Sequence, residues 1–111
     1  MTVTYFSNQL IERIADRVAA ASSVPAKIVL IGSYARGDAN YESDLDLVVL
    51  HKEVIDRASE YRRLITEIQT LATNVDLILM QDEEFEWRSL VGGTLPYWAK
   101  QEGRVLRDFA S

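Results

Sequence analysis

The apolar positions of this chain change period several times, and each change marks an element. Phe6, Leu10, Ile14 and Val18 recur every four residues, with Ile11 and Ala15 beside them. That spacing predicts an amphipathic helix from Ser7 to Ala21, which ends before Pro25. Lys27–Ile31 is a short β-branched run that stops at Gly32 and reads as a strand. Ser33–Ala39 predicts a short helix or turn with Gly37 near its end. Leu45–Leu50 predicts a second strand. Val54 to Ala72 predicts a long helix with Ile55, Ala58, Tyr61, Ile65, Ile68 and Ala72 on one face. Val75–Met80 predicts a third strand and Asp82–Leu90 a further helix. Thr94 is placed to cap a last helix with Pro96 in its first turn, where proline is tolerated. Gly103 would end it, and Arg104–Leu106 would add a fourth strand at a sheet edge.

Helices and strands therefore alternate, which predicts an α+β chain with α/β-like character: one short central sheet covered by helices. About a dozen residues join the first two strands, near the minimum for a parallel crossover. An antiparallel pair and a mixed sheet both remain open at this point.

Composition narrows the class. A chain of 111 residues makes one domain, 1–111. Apolar residues at 48% and charged residues at 26% give a chain that can bury a core rather than a disordered one. The absence of cysteine excludes disulfides, thiol catalysis and thiolate metal sites, and a single histidine excludes multi-histidine zinc sites. Twelve basic against seventeen acidic residues, a net charge of -5, argue against direct nucleic-acid binding. The longest apolar runs, such as Ile28–Ile31 and Leu77–Met80, are far too short to span a bilayer. Polar residues from Asn8 onward predict no export signal, and the default expectation is a cytoplasmic protein.

Three features carry chemistry. Gly32-Ser33 follows a strand and opens a helix. Glycine permits close approach of a ligand to the backbone, helix-start N–H groups favour an anion, and the serine hydroxyl can donate to phosphate. The same pair also serves as an ordinary strand-ending turn and cap. Asp44 and Asp46 bracket Leu45, so they share one face of the second strand. Paired carboxylates repel each other unless they are solvated or neutralised, and Mg²⁺ neutralises such a pair together with substrate phosphates. Asp76 lies in an otherwise apolar strand, where a carboxylate needs a partner, a ligand or an exposed strand entrance.

Taken together, Gly32-Ser33, ten intervening residues, Asp44-x-Asp46 and a strand aspartate thirty residues further on resemble the nucleotidyltransferase superfamily of DNA polymerase beta. The stretch from Gly32 to Val49 is most similar to the minimal nucleotidyltransferases of bacteria and archaea, which are commonly encoded beside a HEPN-domain partner. This resemblance implies a polymerase-beta-type core with a mixed sheet. It places the phosphates of a nucleoside triphosphate on Gly32 and Ser33, divalent metal on Asp44 and Asp46, and the third catalytic carboxylate on Asp76. Arg36 becomes either a counter-charge to phosphate or a solvent-facing cation. Mg²⁺ and ATP are the implied cofactor and donor. The implied activity is transfer of AMP to a hydroxyl of a HEPN ribonuclease toxin, with this chain as antitoxin in a type VII-like pair. Two alternatives stand beside it: an antitoxin that inhibits its partner by occlusion with little catalysis, and a small-molecule nucleotidyltransferase.

The remaining polar and aromatic residues carry plainer expectations. His51 reads as a solvated strand-end histidine, and Arg62-Arg63 as a solvated helix face beside Glu60 and Glu67. Tyr34 is placed to border a nucleotide. Trp87, Tyr97, Trp98 and Phe109 read as core or lid, unless they are exposed, in which case they would mark a partner surface.

Overall fold

The computed structural model describes residues 5–109. Helix α1 spans Asn8–Ala21, and the Ser7 hydroxyl caps it by accepting from the Leu10 N–H. Its core stripe is Ile11, Ile14, Ala15 and Val18, and Phe6 is buried just ahead of it. Strand β1 (Ala26–Ile31) follows, then the single turn α2 (Ser33–Arg36), strand β2 (Leu45–His51), helix α3 (Arg57–Ile68) and strand β3 (Val75–Gln81). Helices α4 (Asp82–Arg88) and α5 (Leu95–Glu102) and strand β4 (Arg104–Arg107) complete the order.

The sheet runs β3-β2-β1-β4 and is mixed. β1 lies antiparallel to both β2 and β4, whereas β2 and β3 are parallel. The first two strands, whose pairing the sequence left open, are antiparallel within a mixed sheet. The link from β1 to β2 only turns the chain back, while α3 makes the longer crossover that a parallel pair requires.

Strand alternation divides the core into two layers. Ile28, Leu30, Leu45, Leu47, Val49, Leu77 and Leu79 pack with α1 and with Leu64 and Ile68 of α3. Val29, Val48, Leu50 and Met80 face the other way, against Phe85 of α4 and Ala99 of α5. Leu47 and Leu64 are fully buried, and each such side chain contributes on the order of 2 kcal/mol. Both faces of the two central strands are covered, so their sequences read as continuous apolar runs.

Three expectations are corrected here, for helix α3, Glu60 and His51. The helix expected from Val54 to Ala72 is shorter, because Asp56 caps it by accepting from the Ser59 N–H and Gln69 closes it. Its buried face is Glu60, Leu64 and Ile68; of the expected stripe Ile68 is buried and Ile65 and Ala72 partly so, whereas Ala58 and Tyr61 are exposed. Glu60, expected on a solvated face, is buried: it accepts from the Ser23 N–H at 2.9 Å and from the Ser23 hydroxyl at 2.8 Å. His51 is likewise buried rather than solvated, and its Nδ1 donates to the Glu53 carbonyl at 2.8 Å. The last two elements match expectation. Thr94 caps α5, Pro96 sits in its first turn, Gly103 ends it, and β4 is an edge strand.

Candidate active site

The register of the sheet gathers the chemistry at one end. Asp46 is the Cα partner of Ile31 on β1 and of Asp76 on β3. The Leu45 N–H donates to the Asn74 carbonyl at 2.9 Å, which locks β2 against the entrance of β3. By alternation, Asp46 shares a face with Val48 and Leu50, and Asp76 with Ile78 and Met80. The two carboxylates therefore sit on the α4–α5 side of the sheet, beyond the apolar residues those helices cover. Asp76 is exposed and Asp46 half-buried. Asp44 lies just before β2 and is exposed.

Gly32 closes the third side. Its φ of 76° and ψ of −156° fall in a region that essentially only glycine occupies. A Cβ at this position would come within 2.7 Å of Asp46 Oδ2. Glycine is therefore required twice, once for the turn and once for the carboxylate beside it. The Gly32 carbonyl accepts from the Ala35 and Arg36 N–H groups, each at 3.0 Å. Ser33 and Tyr34 thus come ahead of the first donors bonded within α2, at the position where a helix start accommodates an anion.

The electrostatics follow from this crowding. The Asp46 carboxyl is pushed up to about 6, first by burial and then by the neighbouring Asp76 and Asp44 carboxylates. The Arg36 charge opposes this rise. The oxygen-only donors and mutual repulsion suit a hard divalent cation. Among the described residues, no three carboxylate or imidazole side chains form a ready metal cage. Mg²⁺ does not need one, since it takes one or two carboxylates and completes its shell with water and substrate phosphates.

The other candidates are placed as follows. Arg36, exposed, ends α2 and pairs with Asp38 at 3.4 Å and with Glu102 at 3.8 Å, bridging α2 to α5. Tyr34 packs towards the segment before α1: its hydroxyl accepts from the Phe6 N–H at 3.1 Å and its ring packs edge-on against Phe6. Trp87 and Trp98 are exposed, whereas Phe109 lies under the Lys52 ammonium. One feature the linear sequence did not disclose is a cleft of about 510 Å³ between α2 and α5, with Ile31 and Gly32 on one wall and Leu95, Trp98 and Ala99 on the other. Only the closing of the sheet brings residue 32 opposite residue 98.

No helix among the described residues is long and apolar enough to cross a membrane. No curated protein matches the sequence. The fold is shared with solved structures. One is a chain of a toxin–antitoxin complex crystallised with AMP-PNP, at 21% identity and a TM-score of 0.62, with 87% of this chain and 73% of that one covered. Another belongs to the tri-AMPylated Shewanella oneidensis HEPN toxin in complex with an MNT antitoxin, at 20% identity and a TM-score of 0.59, with 92% and 73% covered. The nucleotidyltransferase domain model matches residues 11–99, a span that takes in Gly32, Ser33, Asp44, Asp46 and Asp76. The chain belongs to the nucleotidyltransferase domain family.

Proposed function

We propose that this protein transfers AMP from ATP to a hydroxyl of a HEPN-domain partner protein in the cytoplasm, and so acts as the antitoxin of a toxin–antitoxin pair. The observation that carries the chemistry is the meeting of Gly32, Asp46 and Asp76 at one sheet end, with the Asp46 carboxyl held near 6. A proton or a cation must relieve that crowding, and a nucleotide-bound Mg²⁺ does so. The partner reading is supported by the fold neighbours, which include an AMP-PNP complex of a toxin–antitoxin pair and a tri-AMPylated HEPN toxin bound to its MNT antitoxin.

In this reading Gly32 and Ser33 hold the triphosphate, through backbone approach and the serine hydroxyl. Asp44 and Asp46 would ligate Mg²⁺, with Asp76 completing the set. Bound there, Mg²⁺ would supply charge neutralisation for the phosphates and for the leaving pyrophosphate. The acceptor oxygen forms a bond to the α-phosphorus as the bond from that phosphorus to the bridging oxygen breaks. Pyrophosphate leaves with the electron pair, and the hydroxyl proton passes to the Asp76 carboxylate. Arg36 adds positive charge at the foot of α2.

The test is pyrophosphate release from ATP by the purified protein together with a HEPN-domain partner protein. Release requires Mg²⁺ and falls to background in Asp44→Asn and Asp46→Asn, both of which remain folded by circular dichroism. Undiminished release from either variant would remove that aspartate from the site.

A further inference from the structure

The α4–α5 hairpin leaves large apolar side chains in solvent. Trp87 is 70% exposed, Leu90 82%, Val91 49% and Trp98 51%, with Leu95 next to them in chain order. Exposed indole and leucine side chains gathered on one hairpin are costly in water and mark a contact surface. Two of these residues do more than decorate the hairpin. Leu95 and Trp98 stand one turn apart on α5 and form a wall of the cleft whose opposite wall is Gly32. Leu95 and Trp98 therefore carry the hairpin's apolar surface into a cleft that Arg36 and Glu102 also line and that reaches the glycine abutting Asp46.

The charge around this surface selects its occupant. Helix α4 opens with Asp82, Glu83 and Glu84. Glu84 is paired with Arg88 at 3.0 Å and Glu86 with Lys100 at 2.9 Å. Asp82 and Glu83 make no ion pair among the described residues. Glu83 precedes Trp87 by four positions and so shares its helix face. An apolar strip with an uncompensated acidic flank is complementary to a segment carrying apolar and basic side chains. A second copy of this chain, with its net charge of -5, would bring more acid to that flank.

We propose that the α4–α5 hairpin is the acceptor-docking surface, on which a basic, apolar segment of the partner protein is held so that its hydroxyl reaches the Gly32–Asp46 end of the sheet. This rests on the protein-acceptor reading above. Leu95 and Trp98 are its specificity-determining contacts, and Trp98 is the anchor, because aromatic anchors carry most of the energy of such surfaces.

The test is steady-state transfer to the HEPN partner by the wild type, Trp98→Ala, Leu95→Ser and Trp98→Phe. The expected result is a KM for the partner raised about tenfold or more in the first two variants. The rise in KM for the partner exceeds any change in KM for ATP, and Trp98→Phe recovers most of the loss. Unchanged partner KM in Trp98→Ala and Leu95→Ser would overturn the docking surface while leaving the transferase reading intact. Concentration-dependent dimers lost in Trp98→Ala, with partner kinetics unaffected, would reassign the surface to self-association. No transfer to any protein by the wild type would remove the protein-acceptor reading and this surface with it.

Discussion

Asp46 and Asp76 are direct partners across the parallel β2–β3 ladder, one carboxylate half-buried and the other exposed. Burial, and then the neighbouring Asp76 carboxylate, raise the Asp46 pKa. Two carboxylates placed so close repel each other, and a bound cation relieves that repulsion.

The first prediction concerns this cost. The Asp46 carboxyl stands at about 6 in the folded protein against an ordinary 3.8. Between those values the folded state binds more protons than the unfolded chain, so stability falls as pH rises through the window. Asp46→Asn removes the penalty. The variant should melt above the wild type at about pH 8, with the gap closing as pH drops towards 3.8. Mg²⁺ with AMP-PNP should raise the melting temperature of the wild type and leave that of the variant unmoved. Parallel melting curves across the pH range would show that Asp46 carries no such strain.

Gly32→Ala tests the close approach. The added methyl meets Asp46 Oδ2 and forces a side chain into backbone angles that only glycine adopts freely. The backbone alone costs about 1–3 kcal/mol, and the displaced carboxylate should weaken Mg²⁺-dependent nucleotide binding as well. Urea unfolding and calorimetric titration with Mg²⁺ and AMP-PNP read the two effects separately. Wild-type affinity in this variant would mean that the Asp46 position is not critical to binding.

Glu60 carries a purely structural prediction. Its buried carboxylate satisfies the Ser23 N–H and hydroxyl and reaches Arg63 at 3.4 Å, which ties α3 to the turn before β1. Glu60→Ala should cost about 1–3 kcal/mol in urea unfolding, because those donors lose their partner. Transfer per folded molecule should not change, since Glu60 lies outside the candidate site. A loss of turnover without a loss of stability would contradict that assignment.

Much of the site was legible because it is written in short-range patterns. Asp44-x-Asp46 sets both carboxylates opposite Leu45, Leu47 and Val49, and in β2 Asp46 faces away from the core layer that takes those three residues, although Val48 and Leu50 beyond it are buried too. A glycine after a β-branched run announces a turn, and Gly32 makes one. The stretch from residue 54 to 72 was harder. It holds two competing apolar stripes, and the choice between them lies outside the helix. Ser23, thirty-seven positions away, supplies the partner that lets Glu60 be buried and so rotates α3 onto the Leu64–Ile68 face. Strand pairing was equally invisible, because an antiparallel β1–β2 pair and a parallel β2–β3 pair are properties of connections rather than of local sequence. The exposure of Trp87 and Trp98 could not be read from composition either, since the same residues suit a core.

The central claim is adenylyl transfer to a protein hydroxyl. It is tested most directly by intact-mass spectrometry of the proposed HEPN-domain partner after incubation with this protein, ATP and Mg²⁺. The predicted result is a mass gain of one or more AMP groups, lost in Asp44→Asn and without Mg²⁺. An unmodified partner held in a stable, inhibited complex would contradict the account and leave inhibition by occlusion in its place.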